Sequence, residues 1–203
     1  MASTLVDGLR LPVSVGGHPA LDFCNTRAGW GSPTPKEYLL DYRHLAVWVR
    51  SAGLLSPATT QRLLRLAERE PGPAGAIDAA AIDYRTSLYD VLVGPGSTRA
   101  WSHVAAAASA AAASAELTLQ PPGSPTPAIW QLPGNGPLEL PLLAVIMAAT
   151  DLLTSRAGAA VSACPMPDCG WAFVNASGRR TWCSMAWCGN RAKVRRFAER
   201  HRA

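Results

Sequence analysis

A chain of 203 residues with 48% hydrophobic and 16% charged content can bury one real core and carry a compact appendage. Its net charge of +5 is unevenly placed: residues 156–203 hold nine Lys/Arg against Asp168 and Glu199, a local +7, while residues 1–155 hold ten basic and twelve acidic residues, a local −2. A secretory signal is not expected, because Asp7, Arg10 and Pro12 interrupt any early apolar run, and the longest apolar stretch, Pro141 to Thr150, falls short of the roughly 20 residues a membrane span needs.

A near-neutral body with a basic end points to a polyanionic partner for that end. The expected location is the cytoplasm, in association with the nucleoid. In that reducing setting disulfides are disfavoured, so four cysteines crowded near the C-terminus call for another explanation, with metal in the lead.

After a short lead, Leu11 to Val15 reads as a strand stopped by Gly16-Gly17, and the apolar rhythm resumes over His18 to Thr26 before a Gly/Pro-rich loop at 28–35. Helical spacing of Leu39, Tyr42, Leu45, Ala46 and Val49 predicts a helix over 38–52. Ser56-Pro57 has the N-cap and N1 order that opens a second helix, which closes before Pro71-Gly72-Pro73. A third helix is expected over 77–93 and a fourth in the alanine-dense run 101–115. Residues 116–120 and 128–132 read as a hairpin, and 137–156 as a helix apolar nearly all round, hence deeply buried.

The chemistry concentrates in Cys164, Cys169, Cys183 and Cys188. Each pair has four intervening residues, and thirteen residues separate the pairs. Zinc takes four ligands in a tetrahedron, and paired cysteines at short spacing let each loop offer two thiolates from one side. The spacer suits a hairpin, with Trp171 to Asn175 as one strand, a turn at Ser177-Gly178 and a return over Arg179 to Trp182. An iron–sulfur cluster, redox thiols and uncommitted cysteines are the rival readings; spacing and redox setting favour one structural Zn2+ per chain, whose closed shell argues against catalysis at the metal. Cys24, isolated among apolar residues, reads as a small buried side chain.

From Arg191 onward the chain reads as a basic helix. Val194, Phe197, Ala198 and His201 share one side, expected to rest on Trp171, Phe173 and the hairpin, while Arg191, Lys193, Arg195, Arg196, Arg200 and Arg202 surround that stripe. Glu199 is the sole acid close by in sequence, so these cations, with Arg179 and Arg180 at the hairpin tip, form the expected nucleic-acid contacts. Asn190 and Arg191 have a competing structural reading, as a helix cap and as a donor to zinc-loop carbonyls. Trp182 and Trp187 are expected to pack around the finger more than to stack on a base.

At these residues the sequence resembles the CGNR zinc finger family, named for Cys188-Gly189-Asn190-Arg191. The similarity runs from Cys164 through Phe197 and includes Pro167-Asp168-Cys169-Gly170-Trp171, Arg180, Trp182-Cys183-Ser184-Met185 and Lys193. The preceding body resembles the ABATE domain through the run Gly17 to Thr26, Leu45-Ala46-Val47-Trp48 and Gly53-Leu54-Leu55. The resemblance implies a bacterial, stress-related transcription regulator. One departure is visible: the family often has Asp where this chain has Asn175, which removes a carboxylate from the neighbourhood of Arg179 and Arg180.

The expected fold class is α+β. A mostly helical body with a small sheet or hairpin spans 1–156, and a four-cysteine zinc finger of treble-clef-like order (knuckle, hairpin, helix) spans 157–203. No nucleophile motif, phosphate loop or dinucleotide fingerprint is visible, so an enzyme is not expected. His18 and Asp22, four apart, read mainly as a core histidine oriented by a carboxylate, and secondarily as part of a ligand pocket. The expected function is zinc-dependent DNA binding by a regulator whose body senses a small-molecule effector or forms a homodimer. The alternative is a zinc module for protein or RNA.

Overall fold

The computed structural model describes residues 2–201. The chain opens with a hairpin of β1 (Ser3–Val6) and β2 (Leu9–Pro12), followed by the short helix α1 (Pro19–Cys24) and the two-residue strands β3 (Arg27–Ala28) and β4 (Lys36–Glu37). Helices α2 (Tyr42–Ser51), α3 (Pro57–Arg69), α4 (Pro71–Val93) and α5 (Thr98–Ala113) come next. Strands β5 (Glu116–Leu119) and β6 (Ala128–Gln131) precede α6 (Leu140–Thr154), and a 3-10 turn at Gly158–Ala160 leads to β7 (Val161–Ala163) and β8 (Ala172–Val174). A π-helical turn, Met185–Gly189, runs straight into α7 (Asn190–Arg200). All four β-pairings are two-stranded and antiparallel, which gives an α+β chain dominated by helices.

Helix α6 is the hub. Leu140, Pro141, Ala144, Val145, Ile146, Ala149 and Leu152 are buried on it, as its all-round apolar sequence predicts, and it packs against α1, α2, α4 and α5. The alanine-dense α5 lies close to α4 and α6 through Ala100, Val104 and Ala111. Ser56 caps α3 by accepting from the Thr59 N–H, with Pro57 following as expected.

Two boundaries differ from the sequence reading. The second helix does close before Pro71-Gly72-Pro73, at Arg69, but the next starts at Pro71 and not at 77, with these residues as the first turn of α4; prolines there lack only N–H groups that have no intrahelical acceptor. The first strand pair involves residues read above as a short lead, because Asp7 and Gly8 both adopt positive φ (49° and 77°) and form a two-residue turn that pairs Thr4 with Leu11. Strand β2 therefore ends at Pro12, and Val13 and Val15 are left to pack elsewhere.

Among the described residues, one charged group sits inside the core. Arg85 of α4 is fully buried and pairs bidentately with Glu37 of β4, Nη1 to Oε1 at 2.7 Å and Nη2 to Oε2 at 2.5 Å, while Nη1 also donates to Thr26 Oγ1 at 2.8 Å. Burial alone would raise the Glu37 carboxyl, but the Arg85 hydrogen bonds and charge, with the N–H groups of Leu39 and Tyr38, hold it below its ordinary value of 4.5. This pair joins β4, α1's exit and α4, and so fixes the loop that faces the cysteines.

A carboxyl whose pKa is depressed by folding stabilises the native state above its ordinary range and ceases to do so as pH falls through the depressed value. Glu37→Gln, which strands a buried guanidinium, is expected to cost about 3 kcal/mol near pH 7 and to flatten the loss of stability below roughly pH 4.5. Urea unfolding of both proteins from pH 7 to pH 3 measures the two effects.

Candidate metal centre and nucleic-acid interface

Cys164 and Cys169 flank a tight turn closed by Cys169 N–H donating to Met166 O at 2.8 Å. Gly170 follows at φ +67°, with the position of an added Cβ only 2.9 Å from Trp30 Cβ, so glycine is required by conformation and by space alike. Cys183 lies just before the π-helical turn and Cys188 within it, where Gly189 N–H donates to Ser184 O at 3.0 Å. All four cysteines are buried and their sulfurs lie within 4.8 Å of one another. Cys169 to Cys183 is 3.6 Å and Cys183 to Cys188 is 3.5 Å.

Those separations fit a zinc tetrahedron, whose sulfurs at about 2.3 Å from the ion are about 3.8 Å apart. Electrostatics gives the same answer. Hydrogen bonds from Cys169 and Cys183 hold the Cys164 thiol far below the ordinary value of 9.0, and the same contacts with Cys164 push Cys169 and Cys183 up. Cys164 is thus favoured as the thiolate, while Cys169 and Cys183 resist ionisation unless a cation is shared among them. A Zn2+ held by Cys164, Cys169, Cys183 and Cys188 supplies that cation and ties the two loops together.

The predicted hairpin of the finger is corrected. Strand β8 pairs not with 179–182 but with β7, ahead of the first cysteine, with Ser162 opposite Phe173. The reason lies at Asn175: its Oδ1 accepts the Arg180 N–H at 3.0 Å, closing a turn, and its Nδ2 donates to Ser162 Oγ at 3.2 Å. A carboxylate could not make that donation, which gives the amide its own role here.

The returning segment is instead pinned through Arg180. Its guanidinium donates to the carbonyls of Trp182 (3.2 Å), Val15 (2.6 Å) and Cys183, and lies 4.3 Å from the Phe173 ring centroid.

The finger is built onto the body. The Asn25 amide, fully buried at the end of α1, donates to Ala172 O at 2.9 Å and accepts Ala172 N–H at 2.8 Å, taking the place of a neighbouring strand. Val174 N–H donates to Gly16 O at 2.8 Å, Gly29 N–H to Cys169 O at 2.8 Å, Trp171 Nε1 to Arg27 O at 3.1 Å and the Tyr89 hydroxyl to Gly170 O at 2.6 Å. Trp171, Phe173 and the four cysteines share one apolar cluster with Ala28 and Tyr38, flanked by Val13 and Val15.

Two family models match the sequence: the CGNR zinc finger over residues 161–201, and ABATE, described as "Putative stress-induced transcription regulator", over residues 17–156. The chain belongs to the ABATE family. No curated protein matches it.

In this ABATE protein the arginines divide into two groups. Arg180 is held internally as described, and Arg191 pairs with Asp168 (2.6 and 3.1 Å) and places Nη2 3.6 Å from Cys188 Sγ. Arg191 therefore meets a carboxylate and a ligand sulfur, not the loop carbonyls expected. Arg179, Lys193, Arg195, Arg196 and Arg200 are exposed and form no ion pair with any carboxylate among the described residues; Arg202 lies outside them. Asn190 does not cap α7, since the π-helical turn already supplies the preceding backbone; its Nδ2 donates to Ala186 O at 3.1 Å.

The apolar stripe of α7 is not packed as expected. Val194 is 68% and Phe197 58% exposed, and only Phe197 and His201 stack, on each other at 3.9 Å. Continuing from the π-helical turn sets the axis of α7 so that it stands off the metal site, across a cleft of about 830 Å3 lined by Trp171, Cys188, Val194 and Ala198. Trp182 packs beside the cysteines, whereas Trp187 remains 41% exposed.

In the body, Cys24 is buried, its thiol pushed up to about 12 by desolvation. His18 and Asp22 do not meet as a pair. His18 Nδ1 caps α1 by accepting Ala20 N–H at 3.2 Å and its Nε2 lies 3.4 Å from Asp151, while Asp22 accepts the N–H groups of Val15 and Gly16, both at 2.8 Å. Asp22 thus shapes the loop that receives Arg180 and Val174. Sequence reasoning does not connect Asn25 or Tyr89 to the finger that they hold.

Two measurements follow from this geometry. The native protein is expected to hold one zinc per chain, and Cys183→Ala to lose the metal and expose the segment after residue 160 to proteolysis, read by metal analysis and limited digestion. Asn25→Ala leaves two buried backbone groups of Ala172 unpaired and is expected to cost about 2 to 4 kcal/mol, read by denaturant unfolding of the zinc-loaded protein.

Proposed function

We propose that this chain is a DNA-binding transcription regulator in which the zinc finger presents α7 to the phosphate backbone and the body receives the regulating signal. The observation that carries this reading is a helix that buries none of its side chains yet displays Lys193, Arg195, Arg196 and Arg200 with no carboxylate partner among the described residues. At 100° per residue, Lys193, Arg196 and Arg200 fall within about 60° of one another, a single basic row suited to following a phosphate strand. Arg195 lies toward the cleft and Arg179 extends the charge at the finger's turn. Arg180 and Arg191, held internally, set the finger's shape and are not assigned to phosphate.

Release of counterions from DNA makes such binding fall steeply with salt, by about 0.9 in the log–log slope for each phosphate neutralised. The exposed Trp187 and Phe197 beside these cations favour a second reading, in which unpaired bases stack on the finger. Binding of duplex DNA, single strands and RNA at two salt concentrations separates the readings, with tightest binding expected for duplex. Arg195→Ala combined with Arg196→Ala is expected to reduce the salt slope for duplex DNA by about 1 to 2 units without loss of zinc. An unchanged slope would remove α7 from the interface.

A further inference from the structure

A second cleft, of about 490 Å3, lies in the body between the start of α1, the α2–α3 connection, strand β6 and α6. Its volume is in the range that small organic ligands occupy, and its walls are mixed, with Leu54, Leu55 and Met147 beside the polar Ser56, Thr59 and Gln131. Asp151 contributes the cleft's one carboxylate, four-fifths exposed on its side chain, and the lining contains no Lys or Arg. His18 Nδ1 accepts the Ala20 N–H, which directs Nε2–H at Asp151 Oδ2 at 3.4 Å.

Across the cleft stands Trp130, 60% exposed on β6. An exposed indole face, a thioether that adapts to shape and a carboxylate with one long hydrogen bond together favour a cation with an apolar or aromatic body. Arg62 comes near the rim of the cleft but donates to the carbonyls of Gly134 and Gly136, so the lining itself offers an anion no Lys or Arg.

The cleft is also joined to the finger. His18 is the N-cap of α1 and Asn25, at the other end of this six-residue helix, holds both backbone groups of Ala172 in β8. Between them Asp22 fixes Val15 and Gly16, whose carbonyls accept from Arg180 and Val174 of the finger.

Resting on the reading of the body as the part that receives a signal, we infer that this cleft binds a small amphipathic organic cation through Asp151 and Trp130, and that α1 passes its occupancy to β8 of the finger.

The test uses the full zinc-loaded chain and three simple probes titrated calorimetrically: benzyltrimethylammonium, benzyl alcohol and phenylacetate. The cation is expected to bind saturably and about tenfold tighter than phenylacetate, with the preference abolished in Asp151→Asn. Trp130→Ala is expected to weaken the cation about fivefold. Both side chains are exposed, so neither change threatens the core, and zinc content serves as the check on folding.

Saturating cation is further expected to slow hydrogen exchange at the Ala172 and Val174 amides in the native protein and not in Asp151→Asn. No saturable binding of the cation, or equal binding by Asp151→Asn, overturns the site; binding without slowed exchange overturns its link to the finger. Neither readout involves DNA, so failure here is distinct from failure of the α7 interface.

Discussion

Four sulfurs packed within 4.8 Å cannot all carry charge without a cation among them, and nearly everything beyond residue 163 depends on that one constraint. The segment from Cys164 to Gly189 contains one three-residue strand and one π-helical turn as its regular structure. So little backbone pairing cannot hold two loops and a helix in fixed relation, and small domains with this deficit rely on a metal for the missing free energy. Arg191 completes the arrangement: with Asp168 on one side and Cys188 Sγ on the other, it sets a positive group against a cluster in which four thiolates outnumber the charge of a dication.

The body is the other half of the finger's support. Residues of the body complete the apolar cluster around the cysteines and accept or donate the hydrogen bonds that the finger's short strand and loops would otherwise lack. Asn25 is the clearest instance, since its amide presents a donor and an acceptor with the spacing of a strand neighbour in a site closed to water. A finger held this way has a set orientation, in contrast to one tethered by a flexible linker, and any change in α1 reaches it through buried bonds.

What can be read from the sequence is what local chemistry decides. Ser56-Pro57 announces a helix start whatever surrounds it, the spacing of the four cysteines announces a metal whatever the fold, and the apolar circumference of α6 announces burial from every side. Asp7-Gly8 is a hairpin signal of the same local kind, masked by the brevity of the strands beside it. Long-range partners are not legible. Nothing near Asn25 indicates that Ala172 is its partner, nothing in 171–182 indicates that β8 pairs backward with β7, and Arg180 looks in sequence like its exposed neighbour Arg179 while it reaches Val15. The stripe on α7 misleads for the opposite reason: periodicity reports that a face is apolar, whereas burial also needs a surface for it to meet.

That unmet stripe changes how α7 is understood. An isolated helix of eleven residues is marginal in water, and packing normally supplies what propensity lacks. Here packing supplies little, since no side chain of α7 is buried and only its first turn, through Arg191 and Ala192, touches the cysteine cluster. The helix persists because its first turn continues a π-helical turn that contains Cys188, so the metal that fixes Cys188 also nucleates the helix. The order of causes therefore runs from sulfur to metal, from metal to the π-helical turn, and from that turn to a row of cations on a helix that the fold engages only through Asn190, Arg191 and Ala192 in its first turn. A surface partner that covers Phe197 and Val194 while neutralising Lys193, Arg196 and Arg200 would supply the contacts that the protein leaves unmade.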